Sequence, residues 1–144
     1  MDIFIVTNDV LEPLTYIKQV TEDSYGAVAT FFGTVRSPNF GKTVAYIDYE
    51  GYDSMIKTQM GVLANELRKS FDLGNIVLAH RLGKLKPSEA SIAIVISSKH
   101  RKDALKACEQ GINRSKELLP VWKYEVTEDS KQWVKGSSAA SETL

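Results

Sequence analysis

Six consecutive residues, Ser91-Ile92-Ala93-Ile94-Val95-Ile96, constrain the fold of this chain more than any other stretch. The run is apolar and β-branched almost throughout and does not alternate, so it predicts a central strand covered on both faces. Such a strand needs neighbouring strands for its backbone and a layer of side chains above and below. The rest of the chain offers both. Ile3, Ile5 and Val6 predict a first strand, and Leu11, Leu14, Ile17 and Val20 place an amphipathic helix over 11–20. Residues 27–35 read as a buried strand with Gly33 inside it, a mark of a bulge or a close backbone approach. Ser37-Pro38-Asn39-Phe40-Gly41 is a turn by composition, and the alternation that follows from Val44 to Tyr49 predicts another strand, the two together forming a long hairpin with a polar tip.

A second helix, capped by Asp53 or Ser54, carries the stripe Ile56, Met60, Leu63 and Leu67. Ile76-Val77-Leu78-Ala79 is a strand leading into His80-Arg81-Leu82-Gly83. Ser97-Ser98 caps a third helix with Ala104, Leu105, Cys108 and Ile112 on its core face, and Pro120 ends it by forcing Leu119 out of helical geometry. Over 121–126, Lys123 and Glu125 share one face of a strand and Trp122, Tyr124 and Val126 the other. Hairpins mixed with helices make the fold class α+β, one domain over 1–134 followed by a Ser/Ala/Gly-rich tail at 135–144.

Composition removes several classes of function. Eighteen Lys and Arg balance eighteen Asp and Glu, which argues against a general nucleic-acid binder. One cysteine excludes an internal disulfide and a four-cysteine zinc site. His80 and His100 lie on different elements without acidic ligand spacing, so no metal is expected, and the glycines form no phosphate-loop or dinucleotide fingerprint. The absence of a long apolar run and of a basic leader predicts a cytoplasmic protein.

Three constellations are able to carry chemistry. At Ser97-Ser98-Lys99-His100-Arg101-Lys102, cations sit at a helix start where the dipole disfavours them, an arrangement that suits a docked anion but also describes a solvated helix end. Lys116 and Lys123 flank Pro120 and can point into one cleft. Two lysines held close would repel, so that one gives up its proton more easily, with Glu125 able to hold Lys123 charged or relay a proton. Lysines near a helix C-terminus are equally favourable with no function at all. Arg36, at the end of Thr34-Val35-Arg36, can grip a phosphate or carboxylate, or simply lie in solvent. Cys108, on the core stripe, reads as an inert buried hydrophobe.

Taken in order, these blocks resemble a known family. Phe32-Gly33-Thr34-Val35-Arg36 and Tyr49-Glu50 with Tyr52 and Met55 are similar to the first block of the large, MoaE-type subunit of molybdopterin synthase. His80-Arg81-Leu82-Gly83, Ser98-Lys99-His100-Arg101, and Lys116 with Pro120-Val121-Trp122-Lys123-Tyr124-Glu125 are similar to its later blocks, over residues 26–134. One block alone would be weak; four in order are specific.

The resemblance implies an α+β fold with a hammerhead-like α/β portion and an antiparallel sheet. It implies sulfur transfer to cyclic pyranopterin monophosphate (precursor Z), giving the dithiolene of molybdopterin, with no cofactor. The sulfur would arrive as a thiocarboxylate on the C-terminal Gly-Gly of a small ubiquitin-like subunit, with two large subunits as a central homodimer inside a heterotetramer. It makes Lys116 and Lys123 the catalytic pair, Arg36, His100 and Arg101 the contacts to the substrate anion, and Thr34, Val35, Tyr124 and Glu125 neighbouring pocket positions, all converging on one site. The family often carries a second lysine directly after the catalytic one, where this chain has Tyr124, and the tail after Trp133-Val134 has no clear match. A non-catalytic anion-binding or scaffold module is the alternative.

Overall fold

The computed structural model describes residues 1–128 and 130–134; the tail expected at 135–144 lies outside the described residues. The elements are β1 (Asp2–Thr7), α1 (Pro13–Val20), β2 (Ala27–Thr34), β3 (Val44–Glu50), α2 (Asp53–Ser70), β4 (Ile76–Arg81), β5 (Gly83–Leu85), β6 (Ala90–Ser98), α3 (Arg101–Leu118), β7 (Trp122–Thr127) and β8 (Lys131–Val134). They form two four-stranded sheets, ordered β1-β4-β6-β2 and β5-β3-β7-β8. In the first, β1 runs parallel to β4 while the other pairs are antiparallel. The second is antiparallel throughout. The class is α+β, as expected.

The apolar run at 91–96 lies inside β6, with β4 on one side and β2 on the other. Its two faces serve two cores. Ile94 and Ile96 join Ile76 and Leu78 of β4 against α2 and α3, where Ile56, Met60, Leu63 and Leu67 are all buried. Ala93 and Val95 join Val77 and Ala79 against Tyr16 and Val20 of α1. Each buried aliphatic side chain contributes about 1.5–3 kcal/mol of transfer free energy, so this double coverage anchors the first sheet.

Several expectations change. The hairpin over 27–50 does not form, because β2 pairs with β6 and β3 with β5 and β7. Alternation identifies a strand but not its partner, and here the link between the two carries the chain from one sheet to the other. The bulge expected at Gly33 is present, with the β2–β6 register shifting between Gly33 and Thr34; a Cβ on Gly33 would meet Ile92 at 2.8 Å. As an edge strand, β2 buries only Ala29 fully rather than its whole length.

In α1 the helix starts at Pro13, and Leu14 is 73% exposed while Tyr16 and Val20 point inward. Steps of three residues turn the helix only about 300°, so the expected stripe drifts off the core face, whereas Tyr16 and Val20 are four apart. In α3, Leu105 is 59% exposed and the buried face is Ala104, Ala107, Cys108, Gly111 and Ser115. These small groups bring the helix close to the sheet, and a Cβ on Gly111 would already sit 3.5 Å from Ile94 and Leu67.

The capping residues also differ. Tyr52 is the N-cap of α2 without a side-chain bond, while Asp53 pairs with Lys57 at 3.1 Å inside the first turn. Before α3 the N-cap is His100, yet Ser98 Oγ accepts the Ala104 amide at 3.1 Å, so the serine serves the helix start from two residues upstream of the N-cap. The short strands β5 and β8 have no signal strong enough to be predicted; both are placed by pairing to β3 and β7.

The link after β2 closes in a tight turn: Asn39 N donates to Lys42 O at 2.9 Å and Lys42 N donates back to Asn39 O at 3.1 Å. Phe40 (φ 50°) and Gly41 (φ 76°) both occupy left-handed backbone, the geometry of a type I′ hairpin turn. Gly41 adopts it freely, but Phe40 does so at a cost, with its ring half exposed. Phe40→Asn, a residue that tolerates this region, is expected to stabilise the fold by about 1 kcal/mol. Urea unfolding should show a higher midpoint at unchanged slope.

Candidate functional site

Lys116 sits in the last turn of α3, where a cation suits the helix dipole. Two residues past the helix end, Pro120 turns the chain, and β7 then sets Lys123 opposite Tyr49 of β3 and Val134 of β8. The Lys123 ammonium lies 5.9 Å from the centre of the Tyr49 ring, and that ring meets His80 edge-on at 5.5 Å. Burial first, and then the nearby Lys116, lower the Lys123 pKa against the opposing Glu125 carboxylate, to about 8 in all. Of the two lysines that flank Pro120 in the sequence, Lys123 thus titrates close to neutral pH.

His80, at the end of β4, is buried beside them. Burial, assisted by the charges of Lys123 and Lys116, lowers its pKa to about 4 against the raising effect of its bond to Arg81. Its Nδ1 lies 2.9 Å from the Arg81 carbonyl oxygen. A carbonyl only accepts, so Nδ1 carries the proton and the neutral ring keeps its lone pair on Nε2. The Tyr49 hydroxyl is held above its usual pKa by burial.

Two cavities meet at this point, and Tyr49 and Lys123 line both. One, of about 230 Å³, is walled by Thr34, Val35, Arg36, Asn39 and Glu125. The other, about 30 Å³, is narrow and lined by His80, Ser91, Ser115 and Lys116. Arg36 Nη2 donates to Asn39 Oδ1 at 2.9 Å, and Asn39 Nδ2 donates to Glu125 Oε2 at 3.1 Å. A guanidinium, two amines, a carboxylate and a phenol therefore surround space for a small organic anion, with a titratable lysine where the cavities join.

Not every expected residue comes to this place. Tyr124 faces the other side of its sheet and packs against Trp133, the rings tilted by 55° with centres 4.9 Å apart. His100 and Arg101 are exposed at the start of α3, while Lys116 is in its last turn, fifteen residues and about 22 Å along the helix from Arg101. Within one chain these two cannot share the lysine cavity, which corrects the expectation of a single converging site. Sequence reading missed Asn39, Tyr49 as a platform, His80, Ser91 and Ser115. Only the register of β3 with β7 brings Tyr49 to Lys123, and only the I′ turn aims Asn39. Among the described residues no cluster of His, Cys, Asp and Glu suits a metal, and no helix is long and apolar enough to cross a membrane. Cys108 is buried with its thiol pushed up to about 11 by that burial, the opposite of an activated thiolate.

The family model described as "MoaE protein" matches residues 6–118. The molybdopterin synthase catalytic subunit of Bacillus subtilis (strain 168) is 35% identical over 93% of this chain and 85% of its own length. Among solved structures, molybdopterin synthase from Staphylococcus aureus has a TM-score of 0.86 at 32% identity, covering 90% of this chain and 95% of that one. The complex of subunits 1 and 2 of molybdopterin-converting factor from Helicobacter pylori 26695 has a TM-score of 0.72 at 22% identity, covering 93% and 90%, a likeness of fold alone.

Proposed function

This chain belongs to the MoaE family of molybdopterin synthase catalytic subunits, sulfur-transferring enzymes of molybdenum cofactor biosynthesis, and on that premise we propose that Lys116 and Lys123 carry the transfer. The substrate is cyclic pyranopterin monophosphate, and the sulfur comes from the C-terminal thiocarboxylate of a small Gly-Gly subunit. The observation that carries this reading is the placement of Lys123 between an Arg36-lined cavity and a narrow one lined by Lys116.

Arg36 anchors the cyclic phosphate with two parallel hydrogen bonds, and Thr34, Val35 and Glu125 shape the cavity around the pterin. The narrow cavity suits a glycine tail, which has no side chains to obstruct it. Lys116 stabilises the negative charge of the thiocarboxylate and of the acyl–sulfur adduct it forms with the pterin. Water then cleaves the acyl–sulfur bond, leaving sulfur on the pterin and a carboxylate on the tail, so that two tails are consumed per dithiolene. Lys123, titrating near 8, gives and takes a proton during the transfer, and Glu125 tunes it. Holding both reactants at one place makes the step effectively unimolecular. His100 and Arg101 join the reaction only from a second copy of the chain, which a homodimer with a small subunit at each end would provide. A cytoplasmic location belongs to the same proposal.

The test mixes the chain with a thiocarboxylated Gly-Gly partner and the cyclic monophosphate, and follows dithiolene formation by mass spectrometry. Product bearing two sulfurs is expected. Binding of partner and substrate without sulfur incorporation would overturn the reading and leave a binding module.

A further inference from the structure

Asn39 has no part in the scheme above, yet it is the side chain that joins two of its members. Its amide orientation is dictated by chemistry: a guanidinium only donates, so Oδ1 faces Arg36 at 2.9 Å, and a carboxylate accepts, so Nδ2 faces Glu125 at 3.1 Å. Glu125 is buried on β7 and Asn39 is half-buried, so the bond to its carboxylate is partly shielded from water, which strengthens it. The backbone of Asn39 is fixed as firmly as its side chain. Both of its main-chain groups pair with Lys42 across the I′ turn, and Ser37 Oγ accepts the Val44 amide at 2.9 Å to close the base of the loop.

We propose that Asn39 is a positioning residue for sulfur transfer, one amide setting both the guanidinium that grips the substrate anion and the carboxylate that shares a β7 face with Lys123. The proposal rests on the roles given to Arg36 and Lys123 above. It makes substrate binding and the protonation of Lys123 interdependent. An anion drawing on Arg36 pulls on Asn39, and through it on Glu125, which together with Lys116, Tyr49 and His80 makes up the titratable surroundings of Lys123. Asparagine is also a common residue at the start of a tight turn, and in that purely structural role it would leave the chemistry untouched.

The two roles separate in steady-state kinetics of the complete synthase with thiocarboxylated partner. Asn39→Gly suits the turn but breaks both bonds, and is expected to raise KM for the pterin substrate about tenfold, the worth of one well-placed charge-assisted bond. Asn39→Asp still accepts from Arg36 but sets a second carboxylate against Glu125. The added negative charge favours the charged amine, so the pH at which kcat levels off should move up by about one unit. A structural role would instead lower kcat alone, in proportion to the folded fraction, at unchanged KM and pH profile. Arg36→Ala is the control for the reading beneath. If it raises KM while both Asn39 variants keep the wild-type KM and profile, the positioning role is overturned and the anion anchor stands. If Arg36→Ala leaves KM unchanged, the anchor falls and the positioning role falls with it.

Discussion

Lys123→Ala is expected to slow dithiolene formation by about 10²–10⁴, the range for losing a positioned proton-transfer group, while the partner and the pterin still bind. Lys116→Ala should lose about as much, since a preorganised charge at a developing anion is worth a comparable factor. Because the two amines act on one event, the double variant should be scarcely slower than either single one. Lys123→Arg separates the possible roles of that residue: it keeps the charge but cannot release a proton near neutrality, so it should be as impaired as Lys123→Ala if proton exchange is what matters. The wild-type rate should climb as pH approaches about 8, where Lys123 gives up its proton, and level off above it. Single turnovers with preloaded partner between pH 6 and 9 measure all of these. Near-normal rates for both alanine variants would sink the assignment of the pair.

The lysine pair was legible in the chain because its geometry is local. Pro120 ends α3 four residues after Lys116, and three residues later Lys123 is on the strand, so the turn between them has little freedom to separate the two amines. The run at 91–96 was legible for a similar reason, since an apolar stretch without alternation has few places to go other than the middle of a two-sided sheet. What was not legible depended on partners far away in sequence. Alternation at 44–49 is the same whether β3 pairs with β2 or β7, and the choice of β7 is what sets Tyr49 under Lys123. His80 carries no mark of its role, because its neutrality comes from burial and from lysines 36 and 43 residues further on. The family resemblance groups His100 and Arg101 with the lysines in one site. Helix length, which the sequence also contains, places them at the other end of α3.

Lys123→Met is expected to make the chain more stable while slowing the reaction as much as Lys123→Ala does. Methionine keeps most of the length and an apolar body beside Tyr49 but has no charge to desolvate. In the folded chain Lys123 titrates at about 8 instead of 10.5. Between those values the unfolded chain holds a proton that the folded one lacks, so stability rises with pH across that window. Below about 8 both states are charged, and the whole penalty of holding an ammonium in this site is present. A difference of 10.5 − 8 units corresponds to roughly 3 kcal/mol. The methionine variant should therefore exceed the wild type by about that much at pH 7, with the gap closing as pH rises through 8 towards 10.5. Urea unfolding of both proteins at pH 7, 8.5 and 10 measures the difference directly, and groups that do not interact with residue 123 cancel. A variant less stable than wild type at pH 7 would mean that Glu125 and the Tyr49 ring more than compensate the buried charge. The expected result instead has the fold bearing a destabilising amine whose lowered pKa is what the chemistry uses, the exchange of stability for function expected at an active site.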